Sequence, residues 1–182
     1  MTRKLLKCAV CLAALCAPTF ANAGQAGTWY LRGDAGIGIS DFSIWGGEIA
    51  FSGGGGVGYN YNHMFRTDVT FDAAIDYEES FFGVNVSLDS YSVMANGYLD
   101  IPFGGPFTPY VGAGVGYGWV EASALGLSAT EEGVAFAGMA GISYDMSQDM
   151  ALDLGYKYRV IMIDGEDVDD HLIRAGIRFN IN

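Results

Sequence analysis

Hydrophobic and polar positions alternate along most of the chain after residue 23. In residues 151–162, one set of alternate positions is apolar, and the other set includes Asp153, Lys157 and Arg159. Successive side chains of a strand point to opposite faces, so a period of two predicts a β-strand with one apolar face. The pattern recurs and predicts eight strands, at residues 29–40, 51–61, 65–76, 90–101, 109–119, 134–145, 151–162 and 172–181.

The two faces of these segments differ sharply in charge. The apolar faces contain no charged residue, whereas the opposite faces contain every Lys and Arg after residue 23, together with five aspartates. These eleven residues are Arg32, Asp34, Arg66, Asp68, Asp72, Asp100, Asp153, Lys157, Arg159, Arg174 and Arg178. A barrel in lipid has an apolar exterior and a polar lumen. The sequence therefore predicts an all-β fold, an eight-stranded antiparallel up-and-down transmembrane β-barrel over 24–182, with a charge network in its lumen.

The links between the segments alternate between long and short. Long links are expected at 41–50, 77–89, 120–133 and 163–171, and short turns at 62–64, 102–108 and 146–150. Barrels of this type have short periplasmic turns and longer external loops. The order places both termini in the periplasm and most remaining acids outside, including Asp167, Asp169 and Asp170.

Residues 1–23 have the layout of a cleavable signal peptide. Basic residues precede an apolar stretch at 8–17, and Ala21-Asn22-Ala23 forms a cleavage site before Gly24. The stretch is shorter than the roughly 20 residues of a membrane-spanning helix, which disfavours a membrane anchor. We therefore expect export to the outer membrane of a Gram-negative bacterium.

Cleavage would change the composition of the protein. All three cysteines lie in the signal, so no thiol chemistry is expected after it. Residues 24–182 retain six basic and 21 acidic residues, a net charge of −15. Such a chain should repel nucleic acid, which is bound through basic groups.

The last segment resembles the signal that the barrel-assembly machinery reads at the C-terminus of outer-membrane proteins. Within residues 174–181, Gly176, Phe179 and Ile181 match the spacing of this signal. The sequence departs from the signal in one respect, because Asn182 follows Ile181. The resemblance implies the assembly machinery and periplasmic chaperones as partners. The alternative interpretation is an ordinary amphipathic strand.

Three segments, GTWYLRGDAGIG, YVGAGVGYG and GYKYRV, resemble strand motifs of the opacity-protein and porin-like family, whose architecture is shared by the OmpA transmembrane domain. The resemblance implies a monomeric outer-membrane barrel in contact with lipid and lipopolysaccharide. It also implies roles in envelope integrity and in contact with a host surface. The first hypothesis is thus a non-enzymatic barrel with acidic surface loops, and the alternative is a narrow porin for small solutes.

Other chemistry has weaker support in the sequence. The glycines of 53–58 run into a strand rather than a helix, so they do not predict a phosphate loop. A low inner wall that leaves room for bulky lumenal side chains is predicted from alternate glycines of two segments: Gly54, Gly56 and Gly58, and Gly112, Gly114, Gly116 and Gly118. A lipid A-modifying enzyme is the third hypothesis, since His171 lies at the external rim. The acids of 164–170 do not have the spacing of a calcium loop, so we expect no metal site there. No cofactor and no catalytic residue is expected either.

Overall fold

The eight strands close into an antiparallel barrel in which each strand pairs with its neighbours in sequence and the first pairs with the last. A computed structural model describes residues 26–40, 49–81, 84–124, 127–163 and 167–181. The expected signal peptide lies outside these residues. The strands are Thr28–Ser40 (β1), Ile49–Asn60 (β2), Phe65–Phe81 (β3), Val84–Asp100 (β4), Phe107–Ala124 (β5), Leu127–Asp145 (β6), Met150–Met162 (β7) and Asp167–Ile181 (β8). This confirms the predicted fold class.

The barrel has two distinct ends. The turn end contains the start of β1, the end of β8 and the turns at 61–64, 101–106 and 146–149. At the opposite end, here the hairpin end, β3 and β4 are separated by residues 82–83 and β5 and β6 by 125–126. No helix among the described residues is long and apolar enough to cross a membrane.

The predicted long links at 77–89 and 120–133 were wrong, because most of their residues continue the strands. Pairing extends to Phe81↔Val84 between β3 and β4, and to Ala124↔Leu127 between β5 and β6. Between β4 and β5 the ladder reaches Val86↔Ala124. Strands β3–β6 therefore form a four-stranded sheet that extends past the last pair of β6 with β7, Val134↔Met162. This extension is named the tall wall.

The outer face of the barrel is apolar, and exposed side chains such as Leu154 and Ile173 are about half accessible. Aromatic rings gather near both ends of this face. Trp29, Tyr59, Tyr61 and Phe65 are in contact at the turn end, and Phe71, Tyr91 and Trp119 are in contact nearer the hairpin end. Such belts are typical of the two lipid interfaces of a membrane barrel.

Glycines on the inner face lie against bulky lumenal side chains, as the sequence predicted. A Cβ atom on Gly58 would lie 2.2 Å from the ring of Tyr30, and one on Gly112 would lie 2.6 Å from the ring of Tyr98. On Gly54, a Cβ would meet the guanidinium of Arg174 at 2.5 Å. The inner wall is low at these positions because the space is taken by side chains from other strands.

Candidate functional site

The lumen contains all eleven predicted charged residues, and each of them takes part in at least one ion pair. These residues come from β1, β3, β4, β7 and β8. Alternation along each strand points them inward, and closure of the barrel brings opposite charges together. The ion pairs form groups along the length of the lumen.

At the turn end, two arginines are buried with one aspartate each. Arg66 Nε donates to Asp100 Oδ2 at 3.0 Å, and its guanidinium lies 4.0 Å from the ring centroid of Tyr98. Arg178 Nε lies 2.7 Å from Asp153 Oδ2. The ring over Arg66 supplies a cation–π contact where water is excluded.

In the middle of the lumen, two arginines and one lysine share three aspartates. Arg32 Nη1 donates to Asp68 Oδ2 at 3.0 Å, and Arg32 also pairs with Asp34. Lys157 Nζ donates to Asp72 Oδ2 at 2.7 Å. Arg174 pairs with both Asp34 and Asp72, and thereby links the pairs on β1 to those on β3 and β7.

The structure adds a residue that the sequence assigned to the external surface. Asp170 is 1% exposed and faces the lumen, where it pairs with Arg159. The prediction of an external Asp170 was wrong, because β8 begins at Asp167 and alternation turns Asp170 inward. Arg159 also donates to Ser92 Oγ at 2.8 Å and to Ser90. Asp145, another lumenal acid that the sequence analysis did not single out, is buried near the turn end.

An apolar layer also lies in the lumen, where the sequence predicted only polar side chains. Met94, Val120 and Ile161 are buried together, and Ile163 and Val168 pack against them. Alternation placed Met94 and Ile161 on the inner face, whereas Val120, Ile163 and Val168 lie in segments that were predicted to be links. The layer lies on the hairpin side of the charged groups and excludes water there.

Little space remains between the lumenal side chains. One cavity in the lumen has a volume of about 30 Å³ and is lined by Arg32, Asp34, Asp72, Lys157 and Arg174, among other residues. That is room for about two water molecules. Eight-stranded barrels have interiors just wide enough for side chains, and this lumen follows the rule.

The remaining predicted positions lie apart from the charge network. Gly176 faces the lumen beside Asp34, while Phe179 and Ile181 are exposed on the outer face. His63 lies in a turn, and His171 lies on the outer face with its Nδ1 2.5 Å from the Tyr156 hydroxyl. Among the described residues, no group of three or more His, Cys, Asp or Glu is placed to hold a metal ion.

The fold and the filled lumen define a small membrane barrel, and the sequence comparison identifies its family. Residues 8–180 match the family described as outer membrane protein beta-barrel domain, and the chain belongs to this family of outer-membrane proteins. An uncharacterized protein of Brucella abortus is 33% identical over 192 residues, which cover 71% of this chain. The match spans 66% of the length of that relative.

Solved structures show the same fold. Neisserial surface protein A superposes with a TM-score of 0.73 at 23% identity, covering 84% of this chain and 97% of that protein. Ail, the attachment invasion locus protein of Yersinia pestis, superposes with a TM-score of 0.58 at 18% identity, covering 85% of this chain and 100% of Ail.

Proposed function

We propose that this chain is a non-enzymatic outer-membrane barrel whose lumen is closed and whose acidic hairpin end is displayed at the cell surface. The observation that carries this proposal is the filling of the lumen by paired charges and an apolar layer, with room for about two waters in the cavity beside Arg174. A closed barrel contributes a rigid element to the envelope and acts through its surface. Contact with lipopolysaccharide and with a host surface is the function that fits best.

The orientation with both termini in the periplasm is part of the proposal. It is supported by the contrast between the two ends: short turns join the strands at the end that holds both termini, whereas the tall wall projects from the other end, where such barrels have their longer external loops. An epitope tag inserted in the link 125–126 should bind antibody on intact cells, whereas a tag in 146–149 should bind only after the outer membrane is opened. The reverse labelling would contradict this orientation.

Conductance of the purified protein in a planar bilayer tests the closed lumen. We expect no steady current beyond brief, small openings, because burying an unpaired charge is costly and keeps the ion pairs formed. The variant Arg159→Ala, which removes the charge pair next to the apolar layer, should raise the frequency of openings. Steady current in the wild-type protein would overturn the proposal.

A narrow porin is the second candidate, favoured by the cavity between Arg32, Asp72 and Lys157. Swelling of vesicles in glycine or arabinose would support it.

An activity on lipid A would require chemistry at the outer rim, where His171 contacts the Tyr156 hydroxyl and lies 3.7 Å from Asp169. Mass spectrometry of lipid A from cells with and without the protein separates this third function from the other two.

A further inference from the structure

The tall wall ends in a strand edge with no described partner. Residues Leu127–Glu132 of β6 pair with β5, whereas the pairing of β6 with β7 begins only at Val134↔Met162. A strand edge presents a row of backbone donors and acceptors that can pair with another chain. Six residues of such an edge are enough for one additional short strand.

The neighbouring link is too short to cover this edge. Strand β7 ends at Met162 and β8 begins at Asp167, and these two residues are paired with each other. Only four residues join them, and at about 3.3 Å per residue a link of this length between adjacent ends reaches no more than roughly 7 Å from those ends. The outer part of the edge, near Leu127 and Ser128, lies about 20 Å beyond the last β6–β7 pair at about 3.3 Å per residue.

The charge of the edge restricts what can pair with it. Thr130, Glu131 and Glu132 are exposed, and the two glutamates lie on opposite faces of the strand. All six Lys and Arg of residues 24–182 lie in the lumen, so the outer surface of the barrel is acidic without a compensating basic side chain. Both faces of an added strand would therefore meet carboxylates.

We propose that the edge Leu127–Glu132 binds an extended, basic segment of a partner protein as an additional β-strand. Backbone hydrogen bonds supply the pairing, and Lys or Arg side chains on the added strand meet Glu131 and Glu132. A second copy of this chain fits less well, because its edge Leu127–Glu132 contains no Lys or Arg that could pair with Glu131 and Glu132.

That the partner lies outside the cell rests on the proposed function, since it requires the hairpin end to face outward. The edge itself can be tested without that assumption. The probe is a fluorescent octapeptide in which pairs of lysines alternate with pairs of threonines, so that an added strand carries lysines on both faces. It is titrated into the refolded full-length protein in lipid nanodiscs at low salt. Carbon-13 labels on the peptide carbonyls report strand formation by infrared spectroscopy.

We expect saturable binding with a β-sheet signal from the labelled peptide. The variant Glu131→Lys with Glu132→Lys should weaken binding about tenfold, because two favourable cross-strand pairs become repulsive. The same variant should bind a glutamate–threonine octapeptide that the wild-type protein rejects. The matched control Asp149→Lys with Asp167→Lys makes the same change in net charge at exposed acids outside β5 and β6, and should weaken binding much less.

A fully N-methylated lysine–threonine peptide keeps the charge but has no backbone donors, and it should fail to bind. Equal binding of the methylated peptide, or equal losses in the two double variants, would show a general attraction between opposite charges and overturn the proposal. Dimerisation of the protein without peptide would assign the edge to a second copy instead. Reversed surface labelling would contradict the proposed function but leave the binding result intact, so the two failures are distinguishable.

Discussion

Arg159 on β7 and Asp170 on β8 form a buried ion pair across neighbouring strands, with Arg159 Nε donating to Asp170 Oδ2 at 3.0 Å. The pair lies beside the apolar layer of Ile161 and its neighbours, and it joins β7 and β8 to the serines of β4. It marks the point at which the charged part of the lumen gives way to an apolar one.

Asp170 should therefore behave as a lumenal residue, although its surroundings in sequence are acidic. The change Asp170→Ala leaves the Arg159 guanidinium buried without its carboxylate and should lower the free energy of unfolding by about 3–5 kcal/mol. The control Asp167→Ala, at an exposed position on the same strand, should change it by no more than about 0.5 kcal/mol. Urea unfolding in lipid vesicles, followed by tryptophan fluorescence, measures both. Similar effects of the two changes would contradict the lumenal position of Asp170.

Arg174 should be among the most sensitive positions of the barrel, because it neutralises two aspartates at once. We expect Arg174→Ala to destabilise the protein by at least about 3 kcal/mol, since it leaves Asp34, Asp68 and Asp72 with two cations, Arg32 and Lys157, instead of three. Glu132→Ala removes an exposed acid and should have an effect within about 0.5 kcal/mol. The same unfolding assay applies, and a small effect of Arg174→Ala would show that water or ions replace the guanidinium readily.

Replacement of glycine by alanine should have different effects at Gly54, on the low inner wall, and at Gly138, which is exposed. In Gly54→Ala the added methyl group would lie 2.5 Å from the Arg174 guanidinium and 2.8 Å from the Phe71 carbonyl oxygen, so a cost of about 1–3 kcal/mol is expected. In Gly138→Ala the methyl group meets nothing within 4 Å, and the reduced freedom of the unfolded chain should leave stability unchanged or slightly higher. Thermal unfolding monitored by band shift on gels compares the two. If Gly54→Ala is also neutral, the wall has room that the distances do not indicate.

The C-terminal strand should matter more for assembly than for the finished barrel. Phe179 and Ile181 face outward, and so do Val111 and Val115 on β5. Lipid can fill the space left at an outer position, so Phe179→Ala with Ile181→Ala should still refold from urea into detergent. In cells the same double variant should accumulate less in the outer membrane, because the assembly machinery would no longer recognise the last strand.

The control pair is Val111→Ala with Val115→Ala, which removes apolar atoms from outer positions of another strand. It should show little defect in cell fractionation. Equal defects for the two pairs would mean that residues 174–181 act as an ordinary amphipathic strand.

The alternation of residues predicted most of the membrane-spanning part of the fold because lipid on one side and the lumen on the other impose opposite chemistry. The same pattern did not predict the tall wall. Residues such as Thr130, Glu131 and Glu132 are exposed, so both faces of the strand are polar and the period of two disappears. Strand pairing there depends on the neighbouring hairpin rather than on an apolar face.

The sequence also predicted which charges face inward, but not which of them pair. Arg174 and Asp72 are 102 residues apart, and their contact depends on the stagger of the strands when the barrel closes. Asp170 was missed because its segment, which also contains Asp167 and Asp169, is acidic, and this composition predicted an external position for all of it. Register, which is not visible in composition, decides these cases.

The lumenal charges are unevenly distributed along the chain, and this has a consequence for the order of folding. Strands β1–β6 contribute two cations, Arg32 and Arg66, and five carboxylates to the lumen: Asp34, Asp68, Asp72, Asp100 and Asp145. The last two strands contribute four cations, Lys157, Arg159, Arg174 and Arg178, and two carboxylates, Asp153 and Asp170. A chain that stops before β7 would thus hold an excess of negative charge that nothing within it can neutralise. Strands β7 and β8 together lower this excess from three negative charges to one, so the interior can close over paired aspartates only after both strands have been synthesised.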